Sequence, residues 1–169
     1  LIEPGYVRTM ARYNSWQNKE LMRILEPMGM DQLAQDRGAF FGSIWGTLNH
    51  VLWGDQLWMS RFEPSVSKPE VASIQESPHL TSNFGDWSAR RFQLDGKILH
   101  WSLSLRALDL AEDLNWHSGA AGHAVTQPRA LCIMHFFNHQ THHRGQIHTM
   151  LTAAGHDAPV SDLFLMPES

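Results

Sequence analysis

Apolar and aromatic residues return at helical spacing in four stretches of the chain. Between Pro4 and Glu26 the positions Tyr6, Met10, Tyr13, Gln17, Leu21, Ile24 and Leu25 mark one face, and Pro27 and Gly29 punctuate its end. Ser43 is placed to cap a second helix that runs to about Phe62, rich in Ile44, Trp45, Leu48, Leu52, Trp53 and Trp58, with Pro64 stopping it. A third helix, about Phe84 to Leu105, carries Trp87, Leu94, Ile98, Trp101 and Leu105 on a seven-residue pattern in which Arg91 fills the gap. A fourth runs from about Pro128 to Ala154: proline is accepted in a first helical turn, and Gly155 follows the last periodic residue.

The connections are read from turn chemistry. Glu63 to Ser82 holds three prolines and five serines and reads as a long surface connection. Leu114 to Thr126 reads as a small hairpin around a Ser118 to Gly122 turn of small residues. In the tail, the apolar run Leu163 to Met166 is expected to pack back on the helices. The pattern predicts one all-α domain over residues 1–169, a four-helix bundle with a small hairpin before the last helix.

Composition narrows the function classes. The 169 residues include 13 Lys and Arg against 17 Asp and Glu, a net charge of −4, with no basic cluster of the kind that tracks nucleic-acid phosphates. The longest apolar segment free of charged residues, Gly38 to Gly54, contains Asn49 and His50 and is too short and polar to span a bilayer. A single Cys forms no internal disulfide, which suits a reducing, cytoplasmic compartment. No nucleic acid and no membrane are expected as partners.

The sharpest chemical feature is on the fourth helix, where His135, His139, His142, His143 and His148 put five of eleven histidines within fourteen residues. Residues four apart share a helix face, so either His139 with His143 or His135 with His139 can present two imidazoles to one ion. Spacing does not choose between these pairs. His139 and His143 do fall on a mostly apolar stripe with Cys132, Phe136, Ile147, Met150 and Ala154, and imidazoles in a core-facing stripe need partners. A third ligand from a facing helix would complete a site. His50 is the candidate, flanked one turn away on each side by Gly46 and Gly54, which leave room for close approach. Cys132, alone among apolar neighbours, reads as inert core, and Trp45, Trp53, Trp58, Trp87 and Trp101 as packing residues.

With these residues in view, the chain resembles the DinB/YfiT-like superfamily of metalloenzymes. The matching segments are Tyr13-Asn14-Ser15-Trp16-Gln17-Asn18, Leu48-Asn49-His50, Asn138 through Gln146 and the Ser161-Asp162-Leu163 ending. The resemblance implies an up-down-down-up four-helix bundle, often a homodimer, with a divalent metal on His50, His139 and His143. His135 and His142 fall outside that triad, His142 lying about 100° around the helix from His143. Arg144, Gln146 and His142 are candidates to support the ligands or contact substrate.

Three neutral imidazoles leave an ion its full charge and an open position, unlike a closed structural site. Zinc and nickel suit such donors best, and iron also accepts them. H-E-x-x-H is absent, because Gln140, Thr141 and His142 stand between His139 and His143, which argues against a zincin-type protease. The remaining expectation is a metal-dependent enzyme acting on a small molecule, either a hydrolase or a transferase using a small thiol cofactor, since relatives of this fold resemble thiol-dependent transferases and isomerases. The alternatives are a non-catalytic metal-binding or sensing domain and a structural dimeric bundle. Metal affinity is expected to fall below about pH 6 as imidazoles protonate.

Overall fold

Six helices and one hairpin are seen in the computed structural model, which describes residues 1–119 and 121–168. The four long helices lie where the periodicity predicts them: α1 (Pro4–Leu25), α3 (Ile44–Phe62), α4 (Phe84–Ser104) and α6 (Arg129–Ala153). Two five-residue helices, α2 (Met30–Ala34) and α5 (Ala107–Ala111), lie in the connections. Ser43 accepts a hydrogen bond from the Gly46 amide to start α3, and Asn83 accepts one from Asp86 to start α4. Gly155 ends α6 with a φ of 79°, a left-handed conformation that glycine adopts without a Cβ clash.

α1 packs chiefly on α4, and α3 on α6. The core between them is dense in aromatic rings: Trp87, Phe136 and Phe137 are fully buried, and Phe62 stacks on Trp101 at 5.3 Å between ring centroids. Trp45, Trp53, Trp87 and Trp101 are buried as expected, whereas Trp58 is only partly covered.

The hairpin is present as β1 (Asp113–Ser118) and β2 (His123–Pro128), antiparallel with Asp113 opposite Pro128 and Ser118 opposite His123. Ala120, within the expected turn, lies outside the described residues. Pro128 corrects one expectation: it closes β2 and flanks the helix instead of entering its first turn, with φ −54° and an extended ψ of 128°. A proline lacks the N–H a ladder would use, so a strand end suits it equally well.

Two further expectations change. The 63–82 segment is strapped onto α3 instead of running free over the surface. The Trp53 indole donates to the Val71 carbonyl at 2.8 Å, and Asn49 Oδ1 accepts from both the amide and the hydroxyl of Thr81, at 3.0 and 2.7 Å. The tail does return to the helices, but by polar contacts. Tyr13 donates to the Ser161 carbonyl and Gln17 to that of Val160, at 2.6 and 2.8 Å, while the Leu163, Phe164 and Leu165 side chains face solvent, Phe164 at 83% exposure. Capture of its carbonyl oxygens by α1 orients this segment, so its apolar side chains are left outside.

Candidate metal centre

α3 and α6 face each other, and three imidazoles meet between them. One nitrogen each from His50, His139 and His143 lies within 4.8 Å of the others. His50 Nε2 and His139 Nε2 are 3.1 Å apart, and the His143 ring centroid stands 4.7 Å from that of His50 and 4.5 Å from that of His139. The structure thus brings together the pair four residues apart that includes His143. His135 sits one turn away on the exposed side, 5.9 Å from His139 between ring centroids.

Local packing explains why His139 reaches this point. A Cβ on Gly54 would lie 2.9 Å from His139 Cε1, so the imidazole occupies the space that glycine leaves. Gly46 serves a different contact, since a side chain there would collide with the Phe41 carbonyl oxygen. That close approach seats the 35–43 loop, whose Phe41 ring stacks on His50 at 3.9 Å between centroids.

Hydrogen bonds determine which nitrogens are free. The Ser77 hydroxyl donates its only proton to the Ile74 carbonyl at 2.6 Å, so at His50 it acts as acceptor. His50 Nδ1–H therefore donates to Ser77 Oγ at 2.8 Å, leaving the Nε2 lone pair open. Gln146 Oε1 accepts from His143 Nδ1–H at 2.7 Å, with the same result at His143 Nε2. His139 Nδ1 is buried and has no partner among the described residues.

Burial pushes the His50 and His139 imidazoles down to about 3, each helped by the His143 charge, and lowers His143 as well against the opposing bond from Gln146. All three are neutral near pH 7. Three imidazole nitrogens at about 2.1 Å from one tetrahedral ion stand roughly 3.4 Å apart. The cluster therefore fits a divalent cation in its spacing, its neutral donors and its oriented lone pairs, with Ser77 and Gln146 holding the opposite ring nitrogens.

The other candidates separate. Gln146 bonds His143 directly and also approaches His142 Nε2, at 3.5 Å, while the His142 ring is exposed beside His143. Arg144 turns away from the triad: it donates to Asn14 Oδ1 on α1 at 2.6 Å. Burial lowers its guanidinium to about 10. Cys132 is buried, and burial raises its thiol.

Arg144 belongs to a buried polar network that spacing did not reveal. Arg91 bridges Asp55 Oδ2 at 2.7 Å and Asp95 Oδ1 at 2.6 Å, Asn14 and Asn18 donate to Asp95, and Gln140 donates to Asp55. Burial opposes the Arg91 charge, yet the two carboxylates outweigh it and hold the guanidinium above its ordinary value. Asp55, Gln140 and Arg144 are chain neighbours of Gly54, His139 and His143. The network thus joins all four long helices directly behind the triad and fixes their mutual register. Arg91 in a core heptad position was its one visible sign. Ser77 and Phe41, from two separate loops, gave none.

A second feature borders the centre. A cavity of about 560 Å³, lined mainly by Phe40, Phe41, Trp45, Ile74 and Pro78, lies beside the loop that carries Phe41. Its volume is in the range of small-molecule sites, and Phe41 is the wall it shares with His50. Among the described residues, no helix is long and apolar enough to cross a membrane.

Comparison with known proteins agrees with this architecture. The chain is 26% identical over 160 residues to Protein DinB of Bacillus subtilis (strain 168), covering 90% of this chain and 88% of that protein. Its fold superposes with a TM-score of 0.62 on the crystal structure of a DinB-like protein from Bacillus cereus ATCC 10987, at 14% identity over 86% of this chain and 90% of that one. The DinB family model matches residues 4–169, from the first residue of α1 to the end of the tail, and the chain belongs to the DinB family.

Proposed function

We propose that this protein is a divalent-metal-dependent enzyme acting on a small molecule, with His50, His139 and His143 as metal ligands and zinc or nickel as the metal, iron being the third choice. The reaction is a thiol-dependent transfer or a hydrolysis. The observation that carries the reading is the orientation of the imidazoles: Ser77 and Gln146 take the Nδ1 protons of His50 and His143, so both Nε2 lone pairs point into the cluster. Held by neutral donors with a position left open, such an ion supplies Lewis acidity toward water, a thiol or a carbonyl oxygen.

The protein's own residues carry the rest. Phe41 covers one face of His50 and keeps water from that side of the cluster. The exposed imidazoles of His135 and His142 flank the triad, and no carboxylate joins it among the described residues, so proton transfer to and from substrate falls to these two rings. The neighbouring 560 Å³ cavity offers apolar walls to a substrate group.

Two expectations from the resemblance, the bundle topology and the homodimer, and one from the single cysteine, the cytoplasmic compartment, belong to the same proposal. The four long helices form an up-down-down-up bundle, in keeping with α1 packing chiefly on α4 and α3 on α6. The protein acts in the cytoplasm as a homodimer, in which a second copy covers Phe92 and Leu103, exposed three turns apart on α4.

The test is elemental analysis of untagged protein purified without a metal-chelate column, beside His50→Ala and His139→Ala/His143→Ala. Near-stoichiometric metal in the wild type and none in either variant supports the triad and leads to screens for thiol transfer and ester or amide hydrolysis. Metal without turnover would favour a non-catalytic binding domain. No metal, and no uptake of added zinc or nickel, would sink the proposal.

A further inference from the structure

Seven residues beyond Gly54 on α3, a second group of side chains gathers where α3, α6 and the hairpin meet. The Arg61 guanidinium carbon lies 4.4 Å from the centroid of the Trp58 ring and 5.1 Å from that of Trp116. The hairpin brings Trp116 to this position, and the two indoles meet edge to face at 5.6 Å. Trp58 in turn contacts His135 at 5.2 Å, and His135 leads to His139.

Arg61 differs from the other partly covered arginines. Arg90 pairs with Glu70, Arg129 with Glu112, and Arg37 donates to the Gln32 carbonyl, whereas Arg61 has neither an ion pair nor a side-chain hydrogen bond among the described residues. Stacking against indole faces engages the flat sides of a guanidinium and leaves its in-plane N–H donors, the edge that matches a carboxylate or phosphate, available. The rings also fix the side chain in advance, so little rotamer freedom remains to be lost on binding. Neither His135 nor the indoles supply a negative charge to satisfy it.

Distance selects the shape of the ligand. His139 packs on Gly54, and seven residues of helix advance roughly 10 Å to Arg61. We propose that Arg61, packed over Trp58 and Trp116, binds the oxyanion end of an elongated organic acid whose reactive end lies at His50, His139 and His143. The placement of the reactive end rests on the metal-site reading; the anion site does not.

Two titrations separate these claims, using the protein as purified and constant ionic strength. The first compares suberate with neutral suberamide by tryptophan fluorescence and calorimetry. The second compares the monohydroxamate of suberic acid, whose extended ends stand roughly 10 Å apart, with its methyl ester. In the wild type the acid is expected to bind at least about tenfold tighter than the uncharged partner in each pair. Arg61→Gln and Arg61→Met should bring that ratio close to one while leaving ester binding unchanged, and Arg61→Lys should keep part of it. Thermal unfolding of the Met variant, which preserves apolar contact with both indoles, checks that the hairpin stays docked. If the metal reading alone fails, the hydroxamate ester loses its affinity but suberate still exceeds suberamide. Equal binding of acid and neutral partners by the wild type, or a ratio that survives Arg61→Gln, overturns the proposal.

Discussion

Gly54→Ala puts the logic of the centre to a direct test, because it pits stability against metal binding. The added Cβ would stand 2.9 Å from His139 Cε1, whereas ordinary contacts begin near 3.4 Å, so the imidazole must move by about half an ångström. Alanine in a helix interior gains about 1 kcal/mol over glycine, and overpacking costs about 1–3 kcal/mol. The net change in folding stability should therefore be between about zero and a loss of 2 kcal/mol. Displacement of His139 should lower zinc or nickel affinity by about 10–100-fold, as loss of ligand orientation does. Gly96→Ala is the control: it lies in α4 with nothing within 4 Å of the new Cβ and should simply gain about 1 kcal/mol. Chemical denaturation supplies the stabilities, and competition with a chromogenic chelator the affinities. A Gly54→Ala protein as stable as Gly96→Ala and with wild-type metal affinity would refute the packing argument.

Ser77→Ala and Gln146→Ala each remove an Nδ1 partner, and each should weaken metal binding by about 10–100-fold with the fold retained, measured by the same chelator competition. Arg91→Met leaves Asp55 and Asp95 buried without their bridging cation and should cost about 3–5 kcal/mol in urea unfolding; a loss below about 1 kcal/mol would contradict the network. In metal-free protein, His50 and His139 titrate near 3 when folded and near the ordinary 6.5 when unfolded. Their contribution is complete above about pH 6.5 and is lost as pH falls toward 3, at up to about 1.4 kcal/mol per pH unit for each ring. Asp55, raised to about 6 by burial against Arg91 and Gln140, acts in the opposite sense: its contribution is lost as pH rises through 6. The measurement is accordingly the difference in pH slope between the wild type and His50→Gln/His139→Gln, and identical slopes would refute the assignment. Phe92→Glu should convert a dimer to a monomer in sedimentation, and an unchanged mass would remove Phe92 from the interface.

The long helices were readable because their signal repeats. Twenty residues of α1 or α6 sample the period five or more times, and Ser43, Pro64 and Gly155 mark boundaries by local chemistry. Five residues sample it barely once, which is why α2 and α5 left no periodic trace. The triad divides along the same line. Spacing identified histidines that can share a face but left His135 against His143 open; packing of His139 on Gly54 resolves it, and that contact joins residues 85 positions apart. Ser77, Phe41 and the Arg91 bridges depend wholly on such distant contacts. The tail misled for a different reason: its run of apolar residues looked like core, but α1 binds its carbonyl groups, and backbone capture decided the orientation.

The strap over α3 has a dynamic corollary. Side chains of α3, namely Asn49, His50, Trp53 and Gln56, tether it, and no ladder of main-chain bonds ties it to the helix among the described residues. It can consequently lift as a latch at lower free energy than global unfolding, and lifting it frees the His50 ring to rotate. An occupant that needs His50 in its present orientation opposes this motion by mass action. Amide exchange from Ser77 to Thr81 would then slow as the centre fills, while the α1–α4 interior exchanges as before, so the latch reports an occupant that it does not itself touch.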